Sequence, residues 1–216
     1  MTGIFNITFK FNIMSDQIVS ENGRAHKKVL AIVGMAGCGK TEAVKYLQEK
    51  FDWPKVYFPE TLFEELQARG LEFTQDNERP LREELREKEG PGVFATRSLP
   101  KIEDHLKTSS VVIIESLYSW AEYKIIKQHF PDFFKTIAIY SSPAMRFARL
   151  RNRAERPIAT YEEFQKRDWS EIENTDKGGP IAIADYTISN LGTIETLHQE
   201  LDQVMISEGL LVPREV

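Results

Sequence analysis

The chain has 216 residues, 41% hydrophobic and 28% charged, which is enough apolar material for one sizeable core and excludes disordered, collagen-like and disulfide-scaffold classes. Its 28 Lys and Arg against 33 Asp and Glu give a formal charge of −5, so no global positive field exists to draw in a nucleic-acid backbone. A single cysteine, Cys38, excludes an intramolecular disulfide and a Cys-cluster zinc site, and a chain without staples is expected in a reducing cytoplasm.

The first stretch, residues 1–14, alternates Phe5, Ile7, Phe9, Phe11 and Ile13 with mostly polar neighbours, a strand period rather than the apolar core of a secretion signal. For residues 1–14 an upstream start is favoured over an added edge strand or a partner contact, and residues 1–27 as a whole are read as an amino-terminal extension that is either not native or disordered. From Lys27 onward short β-branched runs alternate with longer helical segments, the pattern of a βαβ parallel sheet. Val29–Val33 reads as a strand buried on both faces. A Gly-rich turn follows, then a helix from Lys40 to Phe51 carrying Ala43, Val44 and Leu47 on one face. Lys55–Phe58 is the second strand, and a helix begins at Pro59 and closes at Gly70.

Residues 71–108 hold two charged helical stretches, Asp76–Glu89 and Val93–Leu106, split by Gly90-Pro91-Gly92, and read as an insertion over the sheet's edge. Ser110–Ile114 is the third strand and ends at Glu115. Ser119–Phe130 is a helix, Thr136–Tyr140 the fourth strand, and Pro143 opens an Arg-rich helix. Residues 156–180 read as a mobile flap containing a helix over Tyr161–Ile172, ahead of a fifth strand, Asp185–Ser189, and a last helix, Ile194–Ser207. No apolar run approaches the ~20 residues of a membrane span.

Gly34-Met-Ala-Gly-Cys-Gly-Lys40-Thr41 fits G-x-x-x-x-G-K-[ST], the Walker A pattern, with a strand before it and a helix after it. Glycines at this spacing let successive N–H groups of Gly34, Ala36, Gly37, Cys38 and Gly39 face an anion. Lys40 then reaches the β and γ phosphates of ATP, and the Thr41 hydroxyl reaches Mg²⁺. No Asn-Lys-x-Asp guanine-reading motif and no Leu-Ser-Gly-Gly-Gln signature occurs, and the chain is short for a hexameric AAA-type module, which leaves a small phosphotransferase.

Glu115 ends an apolar strand, where open α/β sheets place ligands, and is read as a Mg²⁺-water or nucleophile-positioning carboxylate in preference to a cap for the next helix. Glu60 follows strand two. It would orient an acceptor or take its proton, or simply complement the helix dipole, and the two readings stand level. Arg146, Arg149, Arg153 and Arg156 fall at i, i+3, i+7 and i+10, predicting a cationic helix stripe that closes over transferring phosphates, with Arg167 moving in the same flap. Arg79, Arg82, Arg97 and Lys101 lie in the insertion; Arg82 and Arg97 are candidates for holding an acceptor's phosphate.

Together these segments resemble the P-loop nucleotide kinases, and within them the dephospho-coenzyme A kinase-like and adenylate kinase-like proteins, including an archaeal family of uncertain substrate. The residues that carry the resemblance run from 28 to about 207. They are Gly34 to Thr41, Phe58 to Leu71, Leu81 to Gly92 with Arg97, Val111 to Glu115, Ser142 to Leu150, Phe164 to Asp168, and Ala182 to Asn190. The resemblance implies an α/β, three-layer αβα P-loop NTPase fold over residues 28–210 with a mostly parallel five-stranded sheet. It also implies a helical acceptor insertion (71–108), an arginine lid (153–180), and adenine near Asn190-Leu191-Gly192. Glu60 and Glu115 stand where these families commonly carry Asp, and Pro59 where Gly is common. The expected function is ATP- and Mg²⁺-dependent phosphotransfer to a nucleotide-like or phosphorylated small metabolite; the alternative is a regulatory ATPase that switches a protein partner.

Overall fold

The structure is a computed structural model, and it describes residues 27–154 and 156–212. The alternating amino-terminal stretch of residues 1–14 lies outside the described residues. The elements follow in the order β1 (Lys28–Val33), α1 (Lys40–Phe51), β2 (Lys55–Tyr57), α2 (Glu60–Ala68), α3 (Gln75–Glu89), α4 (Val93–Thr108) and β3 (Val111–Glu115). They continue with α5 (Trp120–His129), β4 (Phe134–Tyr140), α6 (Pro143–Arg151), α7 (Tyr161–Glu173), α8 (Gly178–Ala182), β5 (Tyr186–Ser189) and α9 (Ile194–Ser207). Among the described residues the four strand pairings are all parallel, in the order β2-β3-β1-β4-β5, as the expected parallel five-stranded sheet requires.

β1 is apolar without interruption because it is central and both of its faces are covered. Its period of two sorts the side chains: Val29, Ala31 and Val33 join the core built with α2 to α5, while Leu30 and Ile32 join the core built with α1 and α9. β1 pairs with β3 on one side and β4 on the other; the chain runs from β1 to the β2–β3 side first and crosses to β4 only after β3, so the winding reverses beside β1. A crevice opens at its carboxyl end, where sheets of this kind bind ligands. A third, smaller core of Ala36, Leu150, Ile158 and Phe164 lies at that end and ties α6 and α7 to the loop after β1. Full burial of Leu150 and Phe164 is worth roughly 1.5–3 kcal/mol each.

Two expectations need correction. The arginine stripe requires one helix from Arg146 to Arg156, but α6 stops at Arg151 and caps at Asn152. The chain folds back there, with the Arg153 and Ile158 amides both donating to the Leu150 carbonyl, and Arg156 takes a φ of 50° just before Pro157. A residue before proline is disfavoured in the α region, so a helix through Arg156 is opposed locally as well. The flap, expected to hold one helix over Tyr161–Ile172, also runs into a second helical turn, α8. Among the described residues no helix is long and apolar enough to cross a membrane.

Candidate functional site

The loop from Gly34 to Thr41 is held by its carbonyls. Lys40 Nζ curls back to donate to the carbonyls of Gly34 and Met35, each at 2.9 Å. Arg146 donates to the Ala36 carbonyl at 3.2 Å, and Asn190 Nδ2 to the Cys38 carbonyl at 2.8 Å. Arg149 reaches the Gly37 carbonyl at 3.4 Å, Ser141 Oγ at 2.8 Å and the Asn190 carbonyl at 3.2 Å. The amides of Gly37, Gly39, Lys40 and Thr41 are among those with no protein acceptor in the described residues, whereas that of Cys38 donates to the Met35 carbonyl at 3.3 Å, so several donors are left for an anion at the start of α1.

Two glycines are required by this geometry. Gly37 has a φ of 78°, and a Cβ there would sit 2.8 Å from the Arg146 carbonyl oxygen. Gly39 has a φ of 108°, and its Cβ would lie 2.3 Å from Asn190 Nδ2, the group that holds Cys38. Cys38 itself is buried among Leu30, Ile32 and α1 as a small apolar side chain. Asn190, expected near adenine, has its amide committed to the loop. Gly192, two residues on, leads into α9 beside the exposed Leu191 and Ile194.

Glu115 closes β3 in register with Ile32 of β1 and Tyr57 of β2, so the sheet carries its carboxylate to the mouth of the loop. Lys55 Nζ donates to it at 2.6 Å. The capping alternative is removed: α5 is capped by Ser119, which with Glu122 forms a reciprocal capping box. Ser116, next to Glu115, holds a φ of 71°, and its hydroxyl meets the Tyr118 hydroxyl at 2.7 Å.

The α7–α8 segment leans on this same centre. Lys177 Nζ donates to Glu171 Oε2 at 2.7 Å and lies 4.5 Å from the centroid of the Tyr118 ring. Arg167 Nε donates to the other oxygen of Glu171 at 3.2 Å. Burial pushes the Glu171 carboxyl up, but the charges of Lys177, Arg167 and Lys40 outweigh it and hold it below its ordinary value. Arg146, expected to face phosphate, instead forms a bidentate pair with Asp168 of α7 at 2.9 and 2.6 Å beneath the loop.

Beyond Glu115 the crevice continues into a groove of about 680 Å³ between α2 and α3, lined by Glu60, Phe63, Glu64, Phe73, Glu78 and Arg156. Tyr57 joins the two ends: burial raises its phenol, and Glu115 and Glu78 raise it further. Glu60 sits in the first turn of α2, accepting from Lys101 at 3.0 Å, so it occupies the groove and suits the helix dipole at once. Arg97 is not in the groove; it forks between Glu89 and Glu65, the latter at 2.8 Å, and cross-links α2, α3 and α4. Arg82 stands 3.7 Å from Glu78, and Arg156 3.6 Å from the same carboxylate. Arg153 is exposed. The structure thus brings together the loop, Arg149, Asn190 and Glu115, places Glu60 and Arg156 at the groove, and commits Arg82 and Arg97 to carboxylates. Lys177, Glu171 and Tyr118 were missed from sequence, where only the isolated Lys177 ahead of two glycines marks the place.

The family model described as an AAA domain matches residues 30–170. A UPF0200 protein of Thermococcus kodakarensis is 34% identical over 179 residues, covering 82% of this chain and 96% of that one. The chain belongs to both families. A UPF0200/UPF0201 protein of Archaeoglobus fulgidus is also 34% identical, over 180 residues, but this chain spans only 55% of its length. Among solved structures, the shikimate kinase of Acinetobacter baumannii shares the fold at a TM-score of 0.53 and 18% identity, over 87% of this chain and 97% of that one. A gluconokinase of Sinorhizobium meliloti 1021 does so at 0.51 and 13%, over 86% and 95%. The expected P-loop kinase-like fold and the archaeal relationship are thereby established; these likenesses concern fold.

Proposed function

We propose that this UPF0200 chain is an ATP-dependent phosphotransferase acting on a hydroxyl of a small metabolite. The observation that carries the reading is a loop with unengaged amides after β1 together with a groove beside Phe63, whose neighbour Tyr57 lies in register with Glu115. The dephospho-coenzyme A kinase-like and nucleoside monophosphate kinase-like activities that the sequence resembles are the first acceptors to consider, and the kinase neighbours support small-molecule acceptors generally.

In this reading the loop amides and Lys40 take the β and γ phosphates, Lys40 exchanging its carbonyl contacts for phosphate oxygens. The acceptor lies in the groove, and Glu60 orients its hydroxyl. The bond from the γ phosphorus to the β–γ bridging oxygen breaks, a bond to the acceptor oxygen forms, ADP leaves, and the hydroxyl proton passes to the Glu60 carboxylate. Arg149 keeps the loop in shape from behind, while residues 153–180 form the cover and residues 71–108 the acceptor side.

The Thr41 hydroxyl and the Glu115 carboxylate are the oxygen donors suited to Mg²⁺. Among the described residues no group of three or more His, Cys, Asp or Glu could cage an ion, which fits a metal held mostly by phosphate and water. When bound, Mg²⁺ would neutralise charge on the β and γ oxygens.

The test is ADP release from ATP and Mg²⁺ against a panel of dephospho-coenzyme A, each nucleoside monophosphate, shikimate and gluconate. One acceptor should raise the rate many-fold over ATP alone, and Lys40→Ala should lower that rate on the order of a hundredfold or more. Full phosphotransfer by Lys40→Ala would overturn the mechanism. Nucleotide binding with no acceptor dependence would favour the switch-type ATPase.

A further inference from the structure

The cover segment brings one cation to the loop that the arginine pattern does not foretell. Lys177 is 5% exposed, wedged between the Tyr118 ring and Glu171. Glu171 is shared with Arg167, and the ammonium of Lys40 is close enough that its like charge acts on Lys177 and its opposite charge on Glu171. Lys177, nearly removed from water, thus shares one carboxylate with the half-buried Lys40 and with Arg167, which keeps part of its guanidinium in solvent.

Such an arrangement costs free energy as it stands, because a desolvated ammonium needs a full counter-charge, and two of these three lack one of their own. An anion entering between Lys40 and Lys177 removes that deficit. In the proposed reading that anion is the nucleotide's phosphate chain, its inner phosphates on the amides of Gly37, Gly39, Lys40 and Thr41 and its outer end at Lys40. Arg153 and Arg156 do not supply this charge. Arg153 is exposed beyond the end of α6, and Arg156 is at the groove beside Glu78.

We propose that Lys177 grips the terminal phosphoryl group of the bound nucleoside triphosphate from the side opposite Lys40, with Glu171 positioning its ammonium, as the cation that tells a triphosphate from a diphosphate. The inference rests on the reading of the chain as an ATP-dependent phosphotransferase. It deepens that reading, because it places the charge-stabilising role in the turn ahead of α8 rather than on the arginine helix.

The protonation of Lys177 provides an independent handle. Burial and the like charge of Lys40 push its ammonium down to about 8, against the pull of Glu171. Facing it are Lys40 from α1, Glu171 and Arg167 from α7, and Tyr118 from the β3–α5 connection. A terminal phosphate would draw the proton back, so triphosphate binding above pH 8 should take up a proton.

The experiment is calorimetric titration of the full chain with Mg·ADP and with the Mg complex of an imido-bridged ATP analogue. Lys177→Met should weaken the triphosphate analogue tenfold or more and leave ADP within about twofold, and Lys177→Arg should recover most of the loss. At pH 8.5, in buffers of different ionisation enthalpy, the wild-type chain should take up a proton with the analogue and not with ADP; this arm needs no variant. Equal affinities in Lys177→Met and wild type, or no difference in proton uptake between the two nucleotides, would overturn the assignment. A wild-type chain that binds neither nucleotide would remove the phosphotransferase reading itself, a different result from wild-type binding that is indifferent to Lys177.

Discussion

The pair between Arg146 and Asp168 offers a direct measure of how firmly α7 is tied beneath the loop. Arg146 is 5% exposed, bonds both Asp168 oxygens and the Ala36 carbonyl, and lies 4.9 Å from the Phe164 ring centroid. Arg146→Met keeps the apolar stem over Phe164 and removes the charge. Breaking a buried pair from one side costs about 3–5 kcal/mol, and the 14% exposure of the Asp168 side chain lets water repay part of that, placing it near the lower figure. The lost bond to Ala36 adds about 1 kcal/mol. The total is about 4 kcal/mol, or a fall in Tm of roughly 8–16 °C for a domain of this size. Urea denaturation of wild type, Arg146→Met, Asp168→Asn and the double variant should give a coupling on the order of 2 kcal/mol. A loss under about 1 kcal/mol in Arg146→Met, or no coupling in the cycle, would show that the helix is held by Phe164 and Leu150 alone.

Gly39→Ala should cost about 2–3 kcal/mol in chemical denaturation and weaken Mg·ATP binding, because it meets both a positive φ and the Asn190 amide. Gly70→Ala, with a φ of 67° and nothing within 4 Å, should show only the strain, about 1 kcal/mol. Burial pushes the Asp185 carboxyl up, but the amide and hydroxyl of Thr136 and the Lys135 ammonium outweigh it and hold it below its ordinary value. The stability this contributes is fully present above the unfolded carboxylate pKa of about 4 and is lost as pH falls through the depressed folded value. Asp185→Ala should therefore lower stability by about 1–2 kcal/mol at pH 7, with the gap to wild type narrowing in melts below pH 4. The Ser98 hydroxyl is fully buried in α4 without a partner, so Ser98→Ala should raise stability by about 1 kcal/mol in the same assay.

What could be read from sequence was whatever is local in physical origin. The strand Val29–Val33, the glycine spacing and the helix Lys40–Phe51 each follow from a period or a turn requirement expressed within a few residues. The fate of the arginines was not legible, because each is decided by what tertiary packing delivers to it. Arg146 faces Asp168 once α7 returns beside α6, and Arg97 meets Glu65 and Glu89 once three helices stack. The α6 terminus is a mixed case: amides fold back onto the Leu150 carbonyl, but Pro157 after Arg156 already opposes the longer helix within the sequence. Lys177 is the clearest: its partners come from α1, α7 and the connection after β3, and no spacing in the chain announces that they converge.

Under the proposed function, the loop explains how a chain of net charge −5 would build an anion site. A trans peptide directs its carbonyl and the following N–H in opposite directions, so whatever fixes the carbonyls also aims the amides. Here the carbonyls of Ala36, Gly37 and Cys38 are held by Arg146, Arg149 and Asn190, all from outside the loop. The cations nearest the nucleotide loop are thus divided between two tasks. Arg146, paired with Asp168, and Arg149, spent on carbonyls and the Ser141 hydroxyl, shape the cradle from behind, whereas Lys40, donating to the Gly34 and Met35 carbonyls with Cys38 Sγ at 3.8 Å, is the one placed to meet charge in front. Counting arginines therefore overstates the charge available for catalysis, and the orientation of the backbone, fixed before any ligand arrives, provides the rest.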